Sequence, residues 1–282
     1  MDVGFRISGA MVNKMPIFSD DWLRTARTKS GNGSWAAVAI ETLETTGRIY
    51  LSTLRLWFER FPLTLKQKHQ LRTRLESLRD DEHLGGVNEL AWWAFIVREG
   101  FTAAPLPPTT APRPDFELRS PAGCFVEVST LNVSQKDKAR FEAQQGVALD
   151  HAETIRRVIG KLTEEKQQQL KYGADHTKPS ILALFDYTTW SGLGTLFSGA
   201  LGDFLLGKQL GFRSLPSKLS AIVYLERKVL DGRMALSRDR SGVYYNPLAL
   251  YALPPGAFPS LNQFWLELAS VDSTVSDHWV WL

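Results

Sequence analysis

The sequence predicts an α/β protein: a mixed central sheet flanked by helices, preceded by a helical region. Three observations lead to this class. Two strand-like runs, Asp115–Ser120 and Cys124–Thr130, are separated only by Pro121-Ala122-Gly123, a hairpin-like connection. A long helical stretch follows, from Lys136 to Gly173. Ser180–Tyr187 and Leu219–Glu226 are then continuous apolar runs of strand length, the pattern of strands covered on both faces. A hairpin joined through a crossover helix to a further strand gives a mixed sheet with helices packed on it.

Residues 1–34 are polar and end in Lys29-Ser30-Gly31-Asn32-Gly33-Ser34, a loop by composition. From Trp35 to about Arg60 the apolar residues Val38, Ile40, Leu43, Ile49, Leu51, Leu54 and Trp57 predict one or two helices. A further helix over 63–80 sets Leu65, Leu71, Leu75 and Leu78 along one face. Between Arg55 and Arg79, seven Lys and Arg stand against two Glu. The outer face of this region is therefore basic, either simply solvated or in contact with phosphate. Asn88–Glu99 reads as a helix closed by Gly100, with Glu89 in its first turn. Trp92, Trp93 and Phe95 on it read as core. A short apolar run, Phe101–Leu106, leads into the Pro-rich loop 105–114.

Beyond the hairpin, the long helix is expected to break near Gly146 and is strongly periodic from about Asp150. The stretch 191–218 reads as a helix flanked by loops; Ser191–Gly194 within it lacks both GxxxxGK[ST] and GxGxxG, so it makes no phosphate loop. Asn246-Pro247 reads as a turn, 253–259 as a Pro-rich loop, and Leu261 as the start of a short helix. The expected division is a helical region over 1–84 and a domain over 85–282, whose core lies at 85–186.

Composition narrows the function classes. Hydrophobic residues at 44% and charged residues at 22% of 282 are ordinary globular values and exclude wholesale disorder. The single Cys124 permits neither an internal disulfide nor a cysteine metal site, and reads as a small buried strand residue. Five His are scattered without an HExxH pairing, which excludes a zinc enzyme of that type. The N-terminal stretch is too broken by Gly, Arg and Lys for a signal peptide, and no apolar run approaches 18 residues. A soluble, cytoplasmic protein without membrane contact is expected. A net charge of +3 permits nucleic-acid contact without requiring it.

Three carboxylates stand out. Glu89 sits on the helix before the strands, Asp115 opens the second strand after Pro114, and Glu127 lies in the middle of the third. Strand alternation puts Glu127 on one face with Phe125 and Ser129, and Val126, Val128 and Thr130 on the other. Macrodipole complementation beside Asn88 can account for Glu89, and an Asx turn for Asp115, but neither accounts for a carboxylate in mid-strand. A partly buried carboxylate needs a cation or hydrogen-bond donors. Converging carboxylates suit a hard divalent ion such as Mg²⁺, which can activate water against a phosphate.

Pro114-Asp115, eleven residues, then Glu127-Val128-Ser129 resembles the PD-(D/E)XK pattern of the restriction-endonuclease-like nuclease superfamily, with Ser129 where the lysine stands. The element order is similar too, since a helix bearing an acidic residue, here Glu89, precedes the strand hairpin. The likeness covers roughly residues 85–186, about a third of the chain. It implies a restriction-endonuclease-like core that hydrolyses phosphodiester bonds in DNA, in defence or repair. Glu89, Asp115 and Glu127 would hold Mg²⁺ or Mn²⁺.

Serine cannot supply the cation that the motif lysine provides. Either the fold persists as a silent protein binding nucleic acid, a protein partner or its own copy, or another cation moves in. On the helix from 150 to 173, the stripe Ile155, Val158/Ile159, Leu162 continues to Lys166, Gln169 and Leu170, so Lys166 and Gln169 face the sheet. Some members of the superfamily use a glutamine or a displaced basic residue on this helix. The alternative for Lys166 is dipole complementation near a helix C-terminus. Lys161 and Lys171 fall off the stripe and are expected to be solvated, while Lys136 and Lys138 are further stand-ins.

Overall fold

A computed structural model describes residues 16–107, 109–131, 151–186, 197–206, 211–268, 270–272 and 278–282. The chain opens with five helices: α1 (Asp20–Lys29), α2 (Trp35–Glu41), α3 (Thr46–Arg60), α4 (Leu65–Leu75) and α5 (Asp80–Arg98). Their starts are written in the sequence. Ser19 caps α1 by accepting from the Trp22 amide, and Asp20 and Asp21 in the first turn oppose Arg27 and Lys29 in the last. Thr64 and Gln67 form a reciprocal capping box at α4. The polar composition of 1–34 conceals α1 and the fully buried Ile17 and Phe18 before it.

Strands β1 (Thr102–Pro105), β2 (Phe116–Ser120) and β3 (Cys124–Leu131) follow. Next come α6 (His151–Gly160), a π turn at Lys161–Glu165, α7 (Gln167–Asp175), β4 (Ser180–Asp186), α8 (Phe197–Leu206) and β5 (Ala221–Leu225). The remainder is β-rich: β6 (Arg227–Leu230), β7 (Arg233–Ser237), β8 (Gly242–Tyr245), β9 (Asn262–Trp265), β10 (Ser270–Asp272) and β11 (Trp279–Trp281). The main sheet is mixed and eight-stranded, in the order β1-β2-β3-β4-β5-β8-β9-β10, and β11-β7-β6 form a small antiparallel sheet. β1, β2 and β3 run antiparallel in turn, whereas β3, β4 and β5 are parallel.

Alternation along the central strands sorts the helices into two layers. Val126, Ile181, Ala183, Ala221 and Val223 share a core with Leu90, Trp92 and Phe95 of α5 and with the N-terminal helices. Leu182, Leu184, Ile222 and Tyr224 pack instead on Val158, Leu162, Leu170, Leu201 and Leu205 of the later helices. All of β4 and β5 is buried, as their unbroken apolar runs require. Pairing sets Glu127 beside Leu182 and Ser129 beside Leu184, so both polar residues belong to the face covered by α6 and α7. α7 lies close against β4: a Cβ on Gly173 would sit 2.0 Å from Ser180 Oγ and 3.0 Å from the Lys178 carbonyl.

Four expectations change. α5 begins at Asp80, so Glu89 lies in mid-helix and not in a first turn. Gly86 sits inside the helix where Leu75 of α4 packs, 3.2 Å from where a Cβ would stand. The division between 84 and 85 consequently falls within one helix, and a single core cluster runs from Ile17 to Val280. Leu261 precedes strand β9, not a helix. Lys161 is not solvated: its side chain is only 16% exposed and pairs with Glu165 at 3.1 Å. Lys136, Lys138, Gly146 and Ser191–Gly194 lie outside the described residues. No helix among the described residues is long and apolar enough to cross a membrane.

Candidate active site

Glu127 is held in the middle of β3 with only 5% of its surface exposed. Its neighbour across the strand is Leu182, which offers no polar group, so its partner must come from the helix layer. Lys166 provides it: Nζ donates to Glu127 Oε1 at 2.6 Å. Lys166 stands where the π turn meets α7, and its amide donates to the Lys161 carbonyl at 2.8 Å. A π turn carries one more residue than an α turn. On either side of it Leu162 and Leu170 stay in the core, while Lys166 reaches the strand.

Asp115 directly precedes β2, and its Oδ2 accepts from the Val128 amide of β3 at 2.8 Å. This bond fixes Asp115 against the residue following Glu127. Glu89 approaches from α5 and forms an ion pair with Arg74 of α4. The three predicted carboxylates therefore share a neighbourhood close enough for each to influence another's charge. Among the described residues, though, no group of three or more Asp, Glu, His or Cys is arranged to hold a metal. Ser129 is buried two residues beyond Glu127 on the same face.

The electrostatics of the cluster are uneven. Burial pushes Asp115 up to about 8, and the charges of Glu127 and Glu89 add to this against the Val128 amide and Lys166. Glu127 is likewise raised: burial outweighs the attraction of Lys166 and Lys161. Desolvation acts to lower Lys166, but attraction to Glu127 and then Asp115 raises it above the ordinary lysine range. Among the described residues, Lys166 pairs with Glu127 and Arg74 with Glu89, while Asp115 keeps its proton up to about pH 8. Mg²⁺ is commonly held by one or two carboxylates, with water and substrate phosphate completing the shell. Asp115 and Glu127 fit that arrangement by donor type, Asp115 once it gives up its proton, whereas Glu89 is committed to Arg74.

A cleft of about 290 Å³ opens beside Asp115. Its walls come from α4 (Gln67, Gln70, Arg74), from Glu89, from the Pro-rich loop (Pro112, Arg113, Pro114) and from Gln169 of α7. Gln169 Oε1 is buried and accepts no hydrogen bond among the described residues, and buried Arg113 Nε donates none. The basic character of 55–79 is mostly spent internally. Arg72 pairs with Glu76 at 2.8 Å, and Arg55 donates to the Ile17 and Phe18 carbonyls. Beneath the site, Asn88 donates to Thr130 Oγ1 at 2.8 Å and accepts from the fully buried Arg227 at 3.1 Å, tying α5 to β3 and β6. Arg74, Arg113, Gln67 and Gln70 carry no motif, so only the fold identifies them.

The raised Asp115 has a consequence for stability. The folded chain keeps a proton that the unfolded chain, titrating near 3.8, gives up. Native stability therefore falls as pH rises from about 4 towards about 8. Asp115→Asn is expected to be more stable than the parent by ~1–2 kcal/mol at pH 8.5 and equal to it near pH 4. Thermal melts at the two pH values check this; a variant that melts lower at pH 8.5 refutes it.

No family model matches the sequence, and no curated protein or solved structure is significantly similar to it.

Proposed function

We propose that the protein is a divergent nuclease resembling the PD-(D/E)XK superfamily, hydrolysing phosphodiester bonds in DNA with Mg²⁺ or Mn²⁺ in a cytoplasmic defence or repair setting. The observation that carries the reading is the Lys166–Glu127 contact. A lysine from the following helix reaches the mid-strand carboxylate, and so offers the cation that Ser129 lacks. Support also comes from the order of elements: a helix bearing Glu89, the β2–β3 hairpin, a crossover helix, and a parallel strand.

Asp115 and Glu127 would hold the divalent ion, which when bound supplies Lewis acidity and a more acidic water. The protein residues divide the remaining work. The Val128 amide holds the Asp115 carboxyl group against β3, at the residue after Glu127. Lys166 holds its charge throughout, because Glu127 and Asp115 stabilise the ammonium, and it offsets negative charge that grows on the phosphate oxygens. Arg74 is anchored by Glu89 at the cleft wall and is available to steer the DNA backbone.

The test is cleavage of supercoiled and of single-stranded DNA by the purified chain with Mg²⁺, with Mn²⁺ and with excess chelator. Nicking or shortening that needs the metal and disappears in Glu127→Gln is expected. Cleavage that persists undiminished in Glu127→Gln would remove the basis of the reading.

A further inference from the structure

The cleft beside Asp115 has a chemical character of its own. At about 290 Å³ it lies at the lower end of the roughly 300–1,000 Å³ of small-molecule pockets. One nucleotide suits such a volume, and a base pair does not. Gln67 and Gln70 of α4 and Gln169 of α7 all line it. The Gln67 carbonyl is taken by the Thr64 amide and hydroxyl, so Gln70 and Gln169 are the amides with an acceptor and donors to offer, the complement that hydrogen-bonds the edges of nucleobases. Pro112, Pro114 and Leu106 supply apolar surface against which a base face can lie.

Two unmet polar atoms point to a ligand. Gln169 Oε1 is buried without a donor, and a buried acceptor left so costs about 1–3 kcal/mol. An exocyclic amino group or ring N–H of a base would satisfy it. Arg113 Nε, also buried and unmet, is suited to a phosphate or carbonyl oxygen. In a duplex, the Watson–Crick edge is already occupied by the partner base. A pocket that reads that edge requires the base to be unpaired.

We infer that this cleft receives one unpaired nucleotide next to the scissile phosphate, making single-stranded DNA or the frayed end of a duplex the substrate. The assignment of the ligand as nucleic acid rests on the nuclease reading above. The Pro-rich loop then acts as a wall that excludes an intact double helix from Asp115, and Gln169 sets the depth to which the base enters.

The test is fluorescence anisotropy with the full chain in excess chelator, using a labelled mixed-sequence single strand and the blunt duplex of the same sequence. Without divalent ions no cleavage intervenes. The single strand is expected to bind about tenfold more tightly than the duplex, and Gln169→Leu to weaken single-strand binding by roughly tenfold. Duplex binding should be unchanged in that variant and its melting midpoint no lower than the parent's, since the substitution removes an unmet buried acceptor. Gln70→Leu, on the opposite wall, gives a second reading if Gln169→Leu does not fold. Equal or tighter duplex binding, or parental single-strand affinity in both variants, overturns the inference. A chain that binds single strands through Gln169 yet never cleaves retains the inference while the nuclease reading fails. A chain that cleaves duplex DNA equally well with and without Gln169 retains the nuclease reading and loses the inference.

Discussion

Replacing Lys166 with methionine is expected to slow DNA cleavage by about 10²–10³-fold, the range found when one preorganised charge-stabilising group is removed. Methionine keeps most of the stem's packing and removes only the ammonium. Glu127 would then be buried beside Leu182 without its hydrogen-bonded cation, with only the charge of Lys161 acting on it, and would hold a proton more readily still. Breaking a fully buried pair costs roughly 3–5 kcal/mol of stability. The cost here is smaller, because the Lys166 side chain is 22% exposed. A loss of activity alone would not separate a catalytic from a structural lysine, so the informative variant is the double one. Ser129 shares a strand face with Glu127, about two strand residues away, within reach of a lysine stem. Ser129→Lys in the Lys166→Met chain is expected to restore cleavage by at least about tenfold over the single variant. Full activity in Lys166→Met, with only a lower melting point, would assign Lys166 to structure.

The second large effect is on metal binding. With Asp115 pushed up to about 8, a metal that takes this carboxylate must displace a proton from most molecules at neutral pH. Apparent Mg²⁺ affinity is therefore expected to rise about tenfold per pH unit between roughly pH 6 and 8 and to level off above. The folded, metal-free protein carries this proton, so binding releases it. Isothermal titration in two buffers of different ionisation enthalpy measures it as a difference in apparent heat. Asp115→Asn should bind weakly and without that difference. Affinity that is flat across this range, with no proton released, would show that Asp115 is not a ligand.

Some of this was legible in the sequence because the governing pattern is local. β4 and β5 follow from unbroken apolar runs, and the β2–β3 hairpin from a three-residue connection between alternating strands. Glu127 stood out because capping cannot explain a carboxylate in mid-strand. Extending a helical stripe pointed to Lys166, which does reach β3 across a π turn, and to Gln169, which lines the cleft. The same turn defeated the reading of Lys161, since an added residue rotates its surroundings relative to an ideal helix. The start of α5 was missed because the helix was read from Asn88, and the partner of Gly86 in its first half, Leu75, lies on a different helix, out of reach of local pattern. The polar wall of the cleft was missed for a related reason. Gln67, Gln70 and Arg74 look like any solvated helix face until the fold sets the Pro-rich loop and α7 opposite them.

The π turn between α6 and α7 has a consequence in the arithmetic of chain length. Each residue in an α-helix advances the side-chain direction by about 100°. A π turn absorbs its extra residue locally, so a one-codon deletion within Lys161–Glu165 would return the segment to a plain α-helix with its flanks still aligned. A one-codon deletion in the regular helix α6 has no such reserve and would swing the residues beyond it, Lys166 among them, by that angle relative to β3. The cation at this site thus depends on the length of the helix before it as well as on its own identity.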